Sequence, residues 1–298
     1  MLRDLARLFA RMSGRSNEPY QPAVARIEGG GIKRGLTSPE AAVVLTKPLN
    51  VTLTLVIFEM LRKGFLQQIS VKPLVVQVAE AFRTHGSRLS AKSRGEQRRK
   101  AAQAINGALH KYEEPFLELI ESNPGRPITE LDFGVAVQPL VRYVAGRVGG
   151  FNLEETRAYY RLIIERAPRE ARSDGRLTFE REKVFDRNFG WVLLGEDFGT
   201  VLDQEDYSYV PVWQRTSKVQ SPIPGSLEVE RSGSQDLKPE GEGSQLPLNV
   251  TFATWAAEVM TAMEGVVDEK DVKLTLGKDT DAVTATLMNE IAQATFYG

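Results

Sequence analysis

The densest apolar stretch of the chain, residues 37–78, changes its period midway. Leu49, Leu53, Val56, Ile57, Met60 and Leu61 fall at i, i+4, i+7, i+8, i+11 and i+12, so they share one helical face. Ahead of them a first helix is predicted over 40–45. Ser38 is suited to cap it, and Pro39 fits its first position, where a missing N–H costs nothing. Lys47-Pro48 ends that helix, because proline disfavours a helical residue before it. The second helix runs to Lys63. Arg62 and Lys63 suit the negative end of its dipole, and Gly64 suits a left-handed cap. Val51, Thr52 and Thr54 are poor helix formers, so tertiary burial has to hold this helix. Beyond Gly64 the period becomes two. Phe65, Gln67, Ile69 and Val71 alternate with Leu66, Gln68 and Ser70; Leu74, Val76 and Val78 alternate with Val75 and Gln77. Two short antiparallel strands follow, with Lys72-Pro73 between them. Two helices and a hairpin make a winged-helix-like module, spanning 37–110.

The pattern downstream is helical again. A short helix over 112–122 turns Phe116, Leu119 and Ile120 inward. Thr129 is suited to cap the next, which carries Leu131, Val135, Val137, Leu140, Val141 and Val144 and stops at Gly149-Gly150. Asn152 caps a third, with Leu153, Tyr160, Ile163, Ile164 and Ala167 inward and Pro168 at its end. A further helix over 179–194 presents Val184, Phe185, Phe189, Val192 and Leu193. Residues 201–215 read as an extended segment anchored by Tyr207, Tyr209, Val212 and Trp213. These elements form a second helical unit, 111–216, packed with the first. Residues 217–245 read as a linker: ten of the 29 are Ser or Gly, three are Pro and none is aromatic, too little apolar area to offset chain entropy. A C-terminal segment, 246–298, holds helices around 251–267 and 282–294, with Phe252, Trp255, Val259, Met260 and Met263 free to pack on the body or on a partner. The fold class expected is therefore mainly α with a small antiparallel β component.

The N-terminal region, 1–36, combines an amphipathic helix with a linker. Leu2, Leu5, Leu8, Phe9 and Met12 share one side, and Arg3, Arg7 and Arg11 repeat every four residues on the other. That pattern suits a helix packed on its own domain, and it also suits docking to a membrane surface or a partner. No run approaches 18 apolar residues, so no transmembrane helix is expected. Without a continuous apolar core or small-residue cleavage site, the N-terminus does not read as a secretory signal, and a cytoplasmic location is the default.

The formal net charge of −1 hides an asymmetry. Residues 200–298 hold 7 Lys and Arg against 16 Asp and Glu, and residues 1–199 hold 31 against 23. The most basic stretch, 83–100, has seven Lys or Arg and one acid, Glu96. Gly86, Ser87, Ser90, Ser93 and Gly95 make it a loop leading into a helix near Gln97. Arg88, Lys92, Arg94, Arg98, Arg99 and Lys100 are the candidates for nucleic-acid phosphates, since phosphate contact needs only clustered cations. No aromatic residue interleaves them, which disfavours stacking on single strands.

Catalytic signatures are missing. With no cysteine, disulfides, thiolate nucleophiles and zinc–sulfur sites are excluded. His85 and His110 belong to no H-E-x-x-H motif. Gly29-Gly30-Gly31 before Lys33 does not match the phosphate-loop spacing. Asp268, Glu269 and Asp271 lack the Gly and terminal Glu of a calcium loop, and Glu196-Asp197 and Asp203, Glu205, Asp206 read as solvated acids. No cofactor or metal is expected.

Four pieces taken together, SPEAAVVLTKPLNVTLTLVIFEMLRKGFL, YEEPFLELIES, EETRAYYRLIIERA and GWVLLGEDF, give residues 37–215 a resemblance to a group of uncharacterised bacterial proteins with a winged-helix-like module. The first piece also resembles part of the cytosolic region of bacterial membrane proteins of unknown function. Close members of the group often end in a Cys-, Ala- and Gly-rich tail that this chain lacks. The resemblance implies architecture and transfers no catalytic residue. The function expected is that of a non-enzymatic cytoplasmic adaptor or scaffold binding another protein. The alternatives are a DNA-binding regulator using the module and the basic stretch, with non-specific nucleic-acid contact, and a hydrolase whose site is assembled from distant segments.

Overall fold

The helix of 49–62 is predicted to bury one face and instead buries nearly all of its circumference. The computed structural model of the chain describes residues 31–84, 90–105, 107–171, 178–204, 207–216, 250–274 and 280–298. The amphipathic run of 1–13, with Leu2, Leu5, Leu8, Phe9 and Met12, and the linker of 217–245 lie outside the described residues. So do His85 and Arg88.

Helix α1 (Ser38–Val44) is buried at every position. Its cap is Thr37 rather than Ser38: the Thr37 N–H donates to the Glu40 carboxylate at 2.8 Å. Helix α2 (Leu49–Arg62) follows Pro48, and its buried set includes Thr52, Thr54, Leu55 and Phe58 besides the expected stripe. The two threonines tolerate burial because their hydroxyls donate to carbonyls of the preceding turn, Thr54 to Asn50 at 2.7 Å and Thr52 to Lys47 at 3.4 Å. Gly64 then takes the left-handed conformation, φ +74°, that turns the chain into the hairpin.

Strands β1 (Leu66–Ser70) and β2 (Val75–Val78) pair antiparallel, Leu66 opposite Val78 and Gln68 opposite Val76. The register shifts between Gln68 and Ser70, and Ile69 at that irregularity is left 44% exposed. Helix α3 (Ala91–Ala104) begins well before Gln97, because Ser90 caps it by accepting the Ser93 N–H at 3.2 Å. Ser90, Ser93 and Gly95 belong to this helix and its cap rather than to a loop.

Helix α4 (Glu113–Ser122) buries Phe116, Leu117 and Ile120, and the expected Leu119 is partly buried against the same core. Helix α5 (Gly134–Val148) starts five residues after Thr129, which lies in a short 3-10 turn; Asp132 Oδ1 accepts the Gly134 N–H at 2.8 Å. Val135 is 61% exposed, so it does not belong to the inward face. Helix α6 (Leu153–Ala171) is capped by Asn152, which accepts the Glu155 N–H at 3.1 Å. It runs through Pro168 rather than ending there: a proline removes one backbone bond, yet its fixed φ is helical, and the turn is anchored by buried Ala167.

Helix α7 (Thr178–Leu193) packs beside α6, with Trp191 stacked on Tyr160 at 5.6 Å and 7°. The segment expected to be extended is mixed: α8 (Phe198–Leu202), a two-residue hairpin β3 (Asp203–Gln204) and β4 (Tyr207–Ser208), and α9 (Val212–Thr216). Its anchors Tyr207, Tyr209 and Trp213 are buried. Helix α10 (Phe252–Ala262) is capped by Thr251, α11 spans Glu269–Leu274, and α12 (Ala282–Phe296) is capped by Asp281. The architecture is mainly α with a small antiparallel β component. Among the described residues no helix is long and apolar enough to cross a membrane.

One apolar cluster extends from Leu36 to Ala292. Its centre is Phe58. The ring stacks on Trp255 at 5.2 Å and meets Phe189, Trp213 and Phe252 at 5.9–6.0 Å. Helices α7, α9 and α10 are thereby joined on one side chain of α2, and Trp255 Nε1 donates to the Val71 carbonyl of the hairpin at 3.1 Å. Replacing Phe58 with Ala is expected to destabilise the protein by about 3–5 kcal/mol, because transfer energy is lost and a cavity opens among four other rings. Phe58→Leu keeps more of the volume and is expected to lose less. Urea denaturation followed by tryptophan fluorescence measures both.

Candidate functional site

Charged side chains inside this fold come together where α1, the end of α2, the start of α4 and α5 meet. Glu40 is fully buried in the first turn of α1. Its Oε2 accepts from the Thr37 N–H and from Arg147 on α5, whose other Nη donates to the Gly35 carbonyl at 2.7 Å. Glu113 at the start of α4 is equally buried; it binds Lys63 Nζ at 2.7 Å through one oxygen and the His110 N–H at 2.8 Å through the other. His110 lies between these two carboxylates. Its ring stacks on Tyr112 at 5.4 Å and 11°, and Nδ1 is 3.5 Å from the Tyr143 hydroxyl. Tyr112 in turn reaches the Thr37 hydroxyl at 3.3 Å.

Burial, aided by the positive charges of Lys63 and Arg147, pushes the His110 imidazole down to about 4. It is therefore neutral at pH 7, and its 4.0 Å approach to Glu40 Oε1 is not an ion pair. Burial raises Glu113 above the ordinary carboxylate range, with Lys63 opposing. Burial likewise raises the Tyr112 phenol well above its usual value. Glu40 Oε1 is a buried oxygen without a hydrogen-bond donor. The cluster can hold protons and charges in place. It contains no activated nucleophile: the one hydroxyl bound to a nearby acid, Ser38 Oγ on Glu59, is a long contact of 3.4 Å.

The basic candidates are drawn inward. Arg98 is 1% exposed; it binds Glu121 at 2.6 Å, the Phe82 carbonyl at 3.1 Å and the Thr84 hydroxyl at 3.1 Å. Arg94 meets Glu118 at 3.3 Å, and Arg99 lies 3.9 Å from Glu114. Positions 94, 98 and 99 of α3 thus face positions 118, 121 and 114 of α4, one helical stripe against another. Gly95 allows the close approach: a Cβ there would stand 2.7 Å from the Glu114 carboxylate. Lys92 and Lys100 stay exposed.

The outer side of α10 carries the open concavities that the sequence did not mark. A groove of about 810 Å³ runs between α8 and α10, lined by Phe198, Gly199, Asp203, Ala253, Ala257 and Thr261 among others. On the other flank of α10 an apolar pocket of about 260 Å³ is formed by Val71, Pro73, Leu74, Ile128, Trp255 and Val259. Both are bordered by Glu258 and Ala262. The signal that could have found them is the run Thr254, Ala257, Thr261 at i, i+3 and i+7, opposite the buried Trp255, Val259 and Met263. Among the described residues no group of three or more His, Asp or Glu side chains could hold a metal ion.

Comparisons of the chain with family models, curated proteins and solved structures find no match in any of the three.

Two outcomes follow from the buried charges. The fold keeps His110 neutral down to about 4, whereas the unfolded chain protonates it near 6.5. Between those values the unfolded state binds more protons, so the His110 contribution to stability falls as pH is lowered through that window. Glu113 works in the opposite sense, so the readout is the difference between wild type and His110→Asn: thermal melts from pH 7 to 4 should show a flatter loss in the variant. Arg98→Ala, which strands Glu121, is expected to cost about 3–5 kcal/mol, while Lys92→Ala and Lys100→Ala stay within about 0.5 kcal/mol. Denaturant titration measures all three.

Proposed function

We propose that this protein is a non-enzymatic cytoplasmic adaptor or scaffold that binds another protein along the outer side of α10. The observation that carries the reading is the pair of concavities flanking α10. A long open groove floored by small side chains leaves room for a partner's helix, and the adjoining apolar pocket against Trp255 suits one anchoring side chain.

The DNA-binding reading has less support. Three of the five described basic candidates are engaged with Glu114, Glu118 and Glu121, so that face of α3 presents little net charge to phosphates. The polar cluster at Glu40 and His110 favours a hydrolase only weakly, because its charges neutralise one another inside the core.

The test uses affinity capture from the source cells with wild-type protein and with Ala257→Arg/Thr261→Arg, exposed positions whose enlargement fills the groove. A protein retained by the wild type and lost with the variant is the expected outcome. Duplex DNA should bind weakly at low salt and dissociate near physiological salt. Retention of the same partner by the variant, or sequence-selective DNA binding at about 0.2 M salt, sinks the adaptor reading.

A further inference from the structure

Residues 31–36 run as a strap along the first half of α6. The Asn152 N–H donates to the Gly31 carbonyl at 2.8 Å, the Lys33 N–H to the Thr156 hydroxyl at 3.1 Å, and the Leu36 N–H to the Tyr160 hydroxyl at 2.8 Å. The three contacts step along α6 four residues at a time, so strap and helix lie side by side. Their shared outer surface mixes cations with apolar groups. Lys33 Nζ sits 5.0 Å from the centre of the Phe151 ring, and the Arg34 guanidinium 5.6 Å from the Tyr159 ring. Phe151 is 40% exposed and Leu162 51% exposed, both unusual for large apolar side chains in this fold. Phe151, Tyr159, Leu162 and the exposed Arg166 follow one another at helical spacing on one stripe. The acid on that stripe, Glu155, is held at the helix cap by Asn152 Nδ2 at 3.3 Å.

We propose that this strap face is a docking surface for a bilayer containing anionic phospholipid. Neither of the concavities bordering α10 is lined by Phe151, Tyr159 or Leu162, so the face offers exposed apolar tips rather than a pocket for a partner's anchor. Aromatic and aliphatic tips flanked by Lys and Arg are the chemistry of the membrane interface: the tips enter the acyl boundary, and the cations meet headgroup phosphates. Charge complementarity therefore selects an anionic leaflet. The place where the chain joins the strap adds a second argument. Gly31 is bonded at this edge, and the 30 residues before it include Leu2, Leu5, Leu8, Phe9 and Met12 alternating with Arg3, Arg7 and Arg11. Seventeen residues, 14–30, separate that run from the strap, a reach of roughly 60 Å when extended. Both patches can engage one membrane at once, and two weak attachments joined by a linker bind far better than either alone.

Co-sedimentation of the full chain with vesicles tests it. Vesicles of phosphatidylcholine alone are compared with vesicles that also contain phosphatidylglycerol. Binding is expected to the second and not the first, and to fall when salt is raised to roughly 0.5 M. Lys33→Glu/Arg34→Glu and Phe151→Ala/Leu162→Ala should each lower the partition coefficient about tenfold, and the single exposed-site variant Arg166→Glu should lower it less. Melting temperature and sedimentation velocity of the free variants serve as controls for folding and association. Equal binding to both vesicle types overturns the proposal. So does wild-type binding by the strap variants when Leu5→Ser/Phe9→Ser abolishes it, since the N-terminal run alone would then be the anchor. A change of oligomeric state in the strap variants also overturns it, by assigning the face to a second copy of the chain.

Discussion

Helix α2 has almost no solvent face, and most of the fold follows from covering it. A helix apolar on one stripe needs one neighbour; a helix buried all round needs several, and they must be brought from wherever the chain can supply them. Here α1, α7, α9, α10, α12 and the hairpin all lie against it. The polar groups that this burial strands are each given a local partner. Threonine hydroxyls bond back to the helix, the Leu49 N–H donates to the Thr295 hydroxyl at 3.0 Å, and the Asn50 amide donates to the Met260 carbonyl at 3.1 Å. Residues more than 200 positions apart thereby fix the start of one helix, and the C-terminal helices become part of the core rather than an appendage.

The buried charges act on the same scaffold in a different way. Glu40 with Arg147, Lys63 with Glu113, and Arg98 with Glu121 each tie elements that apolar contact alone would hold in more than one register. Arg157 is the fullest case: its Nε donates to the Val44 carbonyl at the end of α1, and its Nη groups reach Glu154 and Glu290 on α12. Such pairs add little net stability over apolar replacements, but leaving one member alone in the core is costly. A shifted packing of α1 against α5 or α6 would do that, so the pairs penalise wrong arrangements more than they reward the right one.

Local signals were legible and long-range ones were not. Gly64, Asn152 and the period change after Gly64 are read from a few neighbouring residues, and the elements they bound are where the pattern places them. Thr129, Val135 and Pro168 misled, because their roles depend on what lies across from them. Val135 is apolar but faces nothing, and Pro168 sits in a turn whose other side, Ala167, is anchored. The basic stretch is the clearest instance. In one dimension 83–100 is a run of cations with few acids; in three, Arg94, Arg98 and Arg99 of α3 meet acids of α4. The acids are some 20 residues away and belong to a helix that reads as ordinary amphipathic.

That pairing also bears on where recognition can happen. A site that binds or reacts needs groups whose capacity is not already taken by the protein itself. Inside the core the capacity is largely taken: Glu113 has donors on both oxygens, Arg98 has partners on its Nε and Nη2, and His110 is held neutral by burial, aided by Lys63 and Arg147. Among the described residues Glu40 Oε1, Glu114 Oε1 and the Tyr207 hydroxyl are buried without a hydrogen-bond partner, and the imidazole nearest to Glu40 is uncharged. At the surface the balance reverses. Phe151 remains exposed beside Lys33, Leu162 is exposed on the same helical stripe, and the concavities flanking α10 remain open. On the proposed reading recognition therefore falls to the outer faces, and the interior pairs hold those faces in position.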